Sequence, residues 1–502
     1  MNDYSTIELH LPDDAATQRF GQDLAAALHR GDVLMLKGDL GAGKSTLARS
    51  IIRALAGDAE LEVPSPTFTL VQSYQTALPA YHYDLYRLGD QDEIFELGFD
   101  EASSSGVCLV EWPQMAEAHM PADGLVISLT EADDGGRYAE LAGPKEKMDR
   151  LNRAMEQRRF LENSGWRNAR REYLSGDASA RHYEHVFVED RDAILVDSPA
   201  LVPAGPMNST KSYADIAHIA LNCTSFFAVG EILRGGGLRV PSIYAKDLDN
   251  GFLLLENLGH DGIVDADGKP IAERYLAAAD MLATMHSRAW PRTHVEAGIS
   301  YELPPFDRDA IMAELDLLVD WYVPERTGGP APSSLRAEYH ALWHEALDGI
   351  EEGEKTIMLR DFHSPNILWQ EASEGSDRVG LIDFQDALWG PSAYDLASLA
   401  FDARVDVPAN MENAILERYL ERRKDTALFE AEGFRRAYAL MALQRNSKIL
   451  GIFVRLNRRD GKPGYMRHLP RISGYIRRAL DHPRLGSLRE FYIRNRLIDN
   501  VE

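Results

Sequence analysis

Cysteine is nearly absent. The 502-residue chain has two, Cys108 and Cys223, far apart in sequence. That excludes a disulfide scaffold and any cysteine-based zinc module, and it fits a reducing compartment. Long apolar runs are missing too. The longest, Ala437–Leu443, falls far below the roughly 18–20 residues that span a bilayer, so no membrane partner is expected. The opening residues, MNDYSTIELH, carry neither the basic nor the apolar stretch of a secretory signal, and a cytoplasmic location is expected. Positive charge is scarce: 54 Lys+Arg stand against 79 Asp+Glu, a net −25. A general nucleic-acid coat runs on Lys and Arg and is disfavoured, whereas a small local phosphate site is not. No fixed-period repeat and no long low-complexity tract is visible.

What is present suits large cores: 45% of residues are hydrophobic, and at roughly 100–200 residues per domain the length predicts two to four domains. Charge is uneven. Residues 1–150 hold 11 Lys/Arg against 26 Asp/Glu, a balance of −15, while the remaining 352 residues carry −10. Two units of different ancestry are indicated. The first reads as α/β. Asp13/Asp14 can cap a helix striped by Phe20, Leu24, Ala27 and Leu28 and ended by Gly31. A strand Val33–Leu36, a glycine turn and a helix Ser45–Ala56 follow, the helix stopped by Gly57. Strands are predicted at Thr67–Tyr74, Tyr81–Leu85 and Val107–Glu111, and a hairpin at Leu125–Leu129 and Tyr138–Leu141. Gly143-Pro144 breaks the pattern, a charged helix Lys145–Asn163 opens, and the boundary is placed near residue 147. The second unit begins with strands at His182–Glu189, Asp192–Asp197 and near Phe252–Glu256. It continues mainly helical, with a strand pair around 366–384.

Gly38-Asp39-Leu40-Gly41-Ala42-Gly43-Lys44-Ser45 matches the P-loop pattern, directly after a strand and opening a helix. Gly38, Gly41 and Gly43 let backbone N–H groups turn inward around phosphate oxygens, and the helix N-terminus adds partial positive charge. Lys44 would neutralise the β/γ-phosphates, the Ser45 hydroxyl would ligate Mg²⁺, and Thr46 would join the nucleotide-binding set. A P-loop alone does not name a reaction. The segments Ser65–Val71 (SPTFTLV), His82–Leu88 (HYDLYRL) and Val110–Pro113 (VEWP) follow it in order. On the residues alone, Thr67 could be a plain β-residue, Asp84 a turn former and Glu111 a solvated strand end. Together with the P-loop, however, these segments closely resemble the TsaE family, the small bacterial ATPases of tRNA threonylcarbamoyladenosine biosynthesis, over about residues 5–143. The resemblance implies that Thr67 senses Mg²⁺ and the γ-phosphate. It implies that Asp84 is the Walker-B-like carboxylate holding the metal shell, and that Glu111 orients the attacking water. It also implies partners: the TsaB/TsaD-like subunits of the threonylcarbamoyl-transferase complex, with tRNA met only indirectly. Trp112 is expected to be a core or partner-facing aromatic.

Farther on, Leu359-Arg360-Asp361-Phe362-His363-Ser364-Pro365-Asn366 places an Asp and an Asn five apart, and Leu381-Ile382-Asp383-Phe384 follows after a short hairpin. Phosphoryl transfer wants a carboxylate to take the acceptor hydroxyl's proton and two oxygen ligands for Mg²⁺. Asp361 fits the first role, Asn366 and Asp383 the others. The ordered pair of motifs resembles the aminoglycoside phosphotransferase superfamily, with Leu359 where its loop has a first His. Gly176-Asp177-Ala178-Ser179, Glu256-Asn257-Leu258, Met285-His286 and Gly390–Leu396 (GPSAYDL) also match. The resemblance places Ser179 and Glu256 at the nucleotide and makes Asp395 a brace of the catalytic loop.

The strand Ala193–Asp197 lacks the Lys that many kinases use on the α/β-phosphates. Its VDSP ending, the run from Gln444 to Phe453 and Arg459-Asp460-Gly461-Lys462 instead resemble the AmgK-like anomeric kinases of N-acetylmuramate and N-acetylglucosamine, over about residues 150–485. Residues 444–471 hold eight Lys/Arg and one acid, read either as a wall attracting an anionic substrate or nucleotide phosphate, as a solvated helix face, or as a tRNA contact.

The expected architecture is therefore an α/β P-loop NTPase domain at 1–147, then an α+β bilobal protein-kinase-like (aminoglycoside phosphotransferase) domain at 148–502. ATP and Mg²⁺ are the expected cofactors of both, and an amino sugar the substrate of the second, in cell-wall recycling. A non-catalytic second unit, or an antibiotic kinase, are the alternatives. A basic wall suits a polycationic drug poorly.

Overall fold

The structure, a computed structural model, describes residues 4–76, 78–174, 181–201, 211–296, 298–348 and 353–498. By backbone contacts it divides into two compact units, Met1–Asp197 with Tyr244–Leu255, and Ser198–Ile243 with Glu256–Glu502.

The first unit contains a seven-stranded sheet: β1 (Tyr4–Leu11), β2 (Val33–Lys37), β3 (Val71–Tyr74), β4 (Ala80–Asp84), β5 (Val107–Glu111), β6 (Leu125–Glu131) and β7 (Arg137–Pro144), in the order β1-β7-β6-β2-β5-β4-β3. β2 runs parallel to both β5 and β6, and β4 parallel to β5. These central strands are near-continuous apolar runs, as strands covered on both faces must be. Leu36 and Asp84 both register with Glu111, so β2, β5 and β4 end along one edge. Helix α1 (Asp14–Ala27) starts where the Asp13 carboxylate accepts from the Ala16 N–H at 2.6 Å. Helix α2 (Lys44–Ala56) buries Leu47, Ala48, Ile51 and Ile52 and stops at Gly57, which takes the left-handed conformation at φ +64°.

Three details differ from the sequence reading. Thr67 is not in a strand. Residues 67–70 form a turn in which the Leu70 N–H donates to the Pro66 carbonyl (2.7 Å) and Leu70 sits at φ +63°, and the strand starts only at Val71. Helix α1 ends at Ala27, not Gly31, because Leu28 is already extended. β1 was not expected. It is an edge strand paired antiparallel to β7 from Tyr4↔Pro144 to Leu11↔Arg137.

The first compact unit also runs past residue 147, the expected boundary: the helix that follows buries Met148, Leu151, Ala154 and Met155 in the same apolar core as α1, and polar packing adds to this. The helix Lys145–Asn163 lies on α1, and Arg158 Nε meets Asp23 Oδ1 at 3.0 Å. Arg171 Nη1 reaches the same oxygen at 3.0 Å. Arg171 belongs to a five-stranded sheet of β8 (Arg170–Leu174), β9 (His182–Val188), β10 (Arg191–Asp197), β11 (Ile243–Asp247) and β12 (Phe252–Leu255), ordered β11-β12-β10-β9-β8. A buried carboxylate shared by two guanidiniums ties these elements together, whatever their ancestry.

The second unit is mainly helical around one large apolar core. Two short antiparallel strand pairs position its chemistry. Strand Lys355–Met358 pairs with Leu388–Pro391, and Ile367–Trp369 pairs with Val379–Leu381. Among the described residues, no helix is long and apolar enough to cross a membrane.

Candidate active sites

The first cluster sits where β2, β5 and β4 end. Gly38, Gly41 and Gly43 all have positive φ, at +142°, +87° and +104°. At Gly38 the demand is absolute, since a Cβ there would lie 2.5 Å from the Leu129 carbonyl oxygen. No side chain caps α2, so its first N–H groups are left for an anion, which fits a phosphate group. Lys44 is 4% exposed. Its Nζ donates to the Gly38 and Asp39 carbonyls, both at 2.8 Å, and lies 3.9 Å from the Trp112 ring centre. Burial pushes the Lys44 ammonium down from its ordinary value, and the nearby Glu111, Asp84 and Asp39 carboxylates oppose that shift.

Ser45, Thr67, Asp84 and Glu111 fall into two hydrogen-bonded groups. Ser45 Oγ donates to Glu111 Oε2 at 2.9 Å, and His82 Nε2 donates to Glu111 Oε1 at 2.8 Å. Both oxygens of the buried Glu111 are therefore engaged. Asp84 Oδ2 instead accepts from Thr67 Oγ1 (2.8 Å) and Ser65 Oγ (2.9 Å), while Oδ1 accepts from the Tyr86 N–H (3.2 Å). Thr46 lies on the first turn of α2. His82 and Trp112 were not singled out in the sequence for this site. His82 stands two residues before Asp84 on β4, hence on the same sheet face, and that alternation was the available signal. Trp112 turns at φ +59°, with its ring 5.0 Å from that of Tyr86 and over Lys44.

The second cluster is built by the two strand pairs. Ile367 registers with Leu381, which sets Asn366 beside the residues just after that strand. The Asn366 side-chain amide donates to the Asp361 carbonyl at 3.0 Å and to Asp383 Oδ2 at 3.3 Å. One amide thus draws the three expected residues together. Arg360 and Asp383 both take positive φ, +70° and +58°, and for Arg360 this is a strained conformation of about 1 kcal/mol or more. Asp395, fully buried, stabilises it. Its two carboxylate oxygens accept the Leu359 N–H (2.7 Å) and the Arg360 N–H (2.9 Å). That is the bracing role read from the sequence. Replacing Asp395 by Ala strands two buried donors and is expected to cost about 3 kcal/mol, more than Asp395→Asn, which keeps one acceptor. The urea midpoint of the second unit's unfolding measures this, and an unchanged midpoint would refute it.

Burial pushes the Asp361 carboxyl up, but His363, Lys448, Arg445 and Arg360 outweigh burial and hold it below the ordinary carboxylate range. Burial also pushes His363 down to about 4. Its ring is neutral at pH 7. Glu256, read from the sequence as a nucleotide contact, is engaged within the protein. Its carboxylate is committed to Arg239, with Arg239 Nη1 at 3.0 Å, and to the Ser242 N–H at 3.1 Å. Ser179 lies outside the described residues. In β10, where a kinase Lys was missing, Asp197 is held by Arg153 Nε (3.0 Å) and Gln157 Nε2 (2.6 Å).

Both clusters offer hard oxygen donors of the kind Mg²⁺ takes. Among the described residues no group of three or more His, Cys, Asp or Glu could hold a metal ion.

Comparison with known proteins bears on both clusters. Residues 11–139 match the family described as threonylcarbamoyl adenosine biosynthesis protein TsaE, and residues 170–436 match the phosphotransferase enzyme family. The chain is 32% identical to the N-acetylmuramate/N-acetylglucosamine kinase of Caulobacter vibrioides over 347 residues, 67% of this chain and 94% of that protein. It is likewise 32% identical to the kinase of the same name from Pseudomonas aeruginosa, over 63% of this chain and 86% of that protein. At the other end it is 37% identical to the tRNA threonylcarbamoyladenosine biosynthesis protein TsaE of Rickettsia felis, over 26% of this chain and 78% of that protein.

Proposed function

Because the chain belongs to the TsaE family through residues 11–139 and to the phosphotransferase enzyme family through residues 170–436, we propose that it is a cytoplasmic fusion of two ATP-dependent enzymes, divided functionally at about residue 147. The front half hydrolyses ATP in support of threonylcarbamoyl modification of tRNA, acting on TsaB/TsaD-like subunits of the transferase complex. The back half transfers the γ-phosphate of ATP to the anomeric hydroxyl of N-acetylmuramate or N-acetylglucosamine in cell-wall recycling. What supports the kinase reading most is the single amide of Asn366 that joins Asp361 and Asp383.

In the front half, the Gly38–Gly43 loop and the free end of α2 would hold the phosphates, with Lys44 and Thr46 beside them. The bond from Ser45 to Glu111 favours Glu111, not Asp84, as the carboxylate nearest the metal shell. Asp84 then governs the Thr67 and Ser65 hydroxyls, and through them the segment that responds to the γ-phosphate. In the back half, Asp361 would accept the sugar hydroxyl's proton while Asn366 and Asp383 hold Mg²⁺, which supplies charge neutralisation on the phosphates when bound. Positioning and charge account for most of the rate.

Incubating the purified full chain with ATP, Mg²⁺ and either amino sugar tests this. ADP release matched by an anomeric phosphate signal in phosphorus NMR is expected. Turnover only with an aminoglycoside, or with no amino sugar at all, would overturn the assignment.

A further inference from the structure

The basic run at 444–471 separates, in the folded chain, into paired and unpaired charges. It begins inside the helix Ala431–Arg458, where Gln444, Arg445 and Lys448 are all buried. Gln444 Nε2 donates to Glu314 Oε2 at 2.9 Å and Lys448 Nζ to Glu314 Oε1 at 2.8 Å. The Arg360 guanidinium closes on the same carboxylate. Glu314 thus answers two cations and has no oxygen to spare. Arg445 is left over. It is 3% exposed, its Nη1 is buried without an acceptor, and it makes no hydrogen bond or ion pair among the described residues.

A guanidinium brings five donors, and burying even one of its nitrogens unpaired, as at Arg445 Nη1, is costly. Such a group is retained where an incoming ligand supplies the acceptors. The position of Arg445 says which ligand. Arg445 directly follows Gln444, which shares the Glu314 carboxylate with Arg360, the residue before Asp361, so this stretch of helix is tied to the loop that meets the acceptor hydroxyl. The Arg445 charge acts on Asp361, His363 and Tyr394 accordingly. The two candidate sugars differ in one charged group: N-acetylmuramate carries a lactyl carboxylate and N-acetylglucosamine carries none. We infer that Arg445 binds the lactyl carboxylate of the acceptor sugar and sets the preference for the acidic substrate over the neutral one. This inference rests on the amino-sugar kinase reading above.

Arg445 could instead serve the transferred phosphoryl group. That anion is common to both sugars, so the ratio of kcat/KM for N-acetylmuramate to kcat/KM for N-acetylglucosamine separates the two roles. In the full-length Arg445→Met variant the ratio is expected to fall roughly 30-fold, the size of one charge-assisted hydrogen bond. Arg445→Lys should recover part of it, since the charge remains but the fork is lost. The methyl ester of N-acetylmuramate probes the same contact with the protein unaltered. Wild type should lose on the ester about what Arg445→Met loses on the acid, and the variant should no longer distinguish acid from ester. A ratio unmoved in both variants, or a variant that still tells acid from ester as wild type does, overturns the assignment of Arg445. Wild type that phosphorylates neither sugar overturns the kinase reading itself, and this inference with it.

Discussion

Replacing Asp361 by Asn is expected to lower kcat for sugar phosphorylation by ~10³-fold, within the range for loss of a positioned general base. The substitution keeps the size and one oxygen of the side chain and removes its ability to take a proton. The loop should stay in place, because its geometry is set by others: Asp395 holds the Leu359 and Arg360 N–H groups, and Asn366 binds the Asp361 carbonyl, which Asn also has. No neighbour can substitute. His363 is two residues away and neutral at pH 7, but burial has pushed it down to about 4, too weak a base to compete for a hydroxyl proton. The same surroundings fix the sign of the pH dependence. Asp361 lies below its ordinary 3.8, so it is ionised throughout the physiological range, and acid should abolish the wild-type rate only on falling below that value. A coupled ADP assay on the full chain measures the loss. A variant within about tenfold of wild type would mean that Asp361 only positions the acceptor.

Much of both sites was readable in advance because their defining residues are local in sequence. The loop Gly38–Ser45 needs only its own glycines and the strand and helix that flank it. Asp361, Asn366 and Asp383 are joined by one short hairpin whose register follows from its length. What escaped was decided by distant partners. β1 alternates exposure along its length and is too polar to announce itself, and its partner β7 is more than a hundred residues away. Glu111 could not be recognised as doubly bonded without knowing that Ser45 and His82 converge on it from α2 and β4. The basic run was the least legible part. Its composition could not say that Glu314 would take Lys448 and leave Arg445 alone, since that choice is made by packing between helices far apart in the chain. Thr67 failed for another reason: Pro66 and the left-handed Leu70 turn the chain there, against the β-propensity of its neighbours.

Lys44→Ala should remove ATP hydrolysis by the front half, with the rate falling by ~10²-fold or more, as expected when a preorganised cation on the transferring phosphoryl is lost. Two separate effects combine. The charge that would meet the β/γ-phosphates disappears, and so does the link that holds the Gly38 and Asp39 carbonyls turned toward one ammonium at 2.8 Å. Those carbonyls point at Lys44 rather than at solvent, so the loop is already shaped around the cation that nucleotide must share. The buried Glu111 and Asp84 carboxylates beside it would lose their nearest counter-charge, and an incoming polyphosphate would meet net negative charge. Lys44→Arg should recover little, because the guanidinium fork does not fit between two carbonyls and the Trp112 ring. The measurement is best made on the full chain carrying Asp361→Asn and without sugar, so that the kinase half releases no ADP, under single-turnover conditions that register a slow basal rate. Hydrolysis within threefold of the Lys44 parent would exclude this loop as the hydrolytic site. Lost hydrolysis with unchanged nucleotide affinity would place the contribution of Lys44 in the transition state, as a charge that meets the γ-phosphoryl only as it leaves.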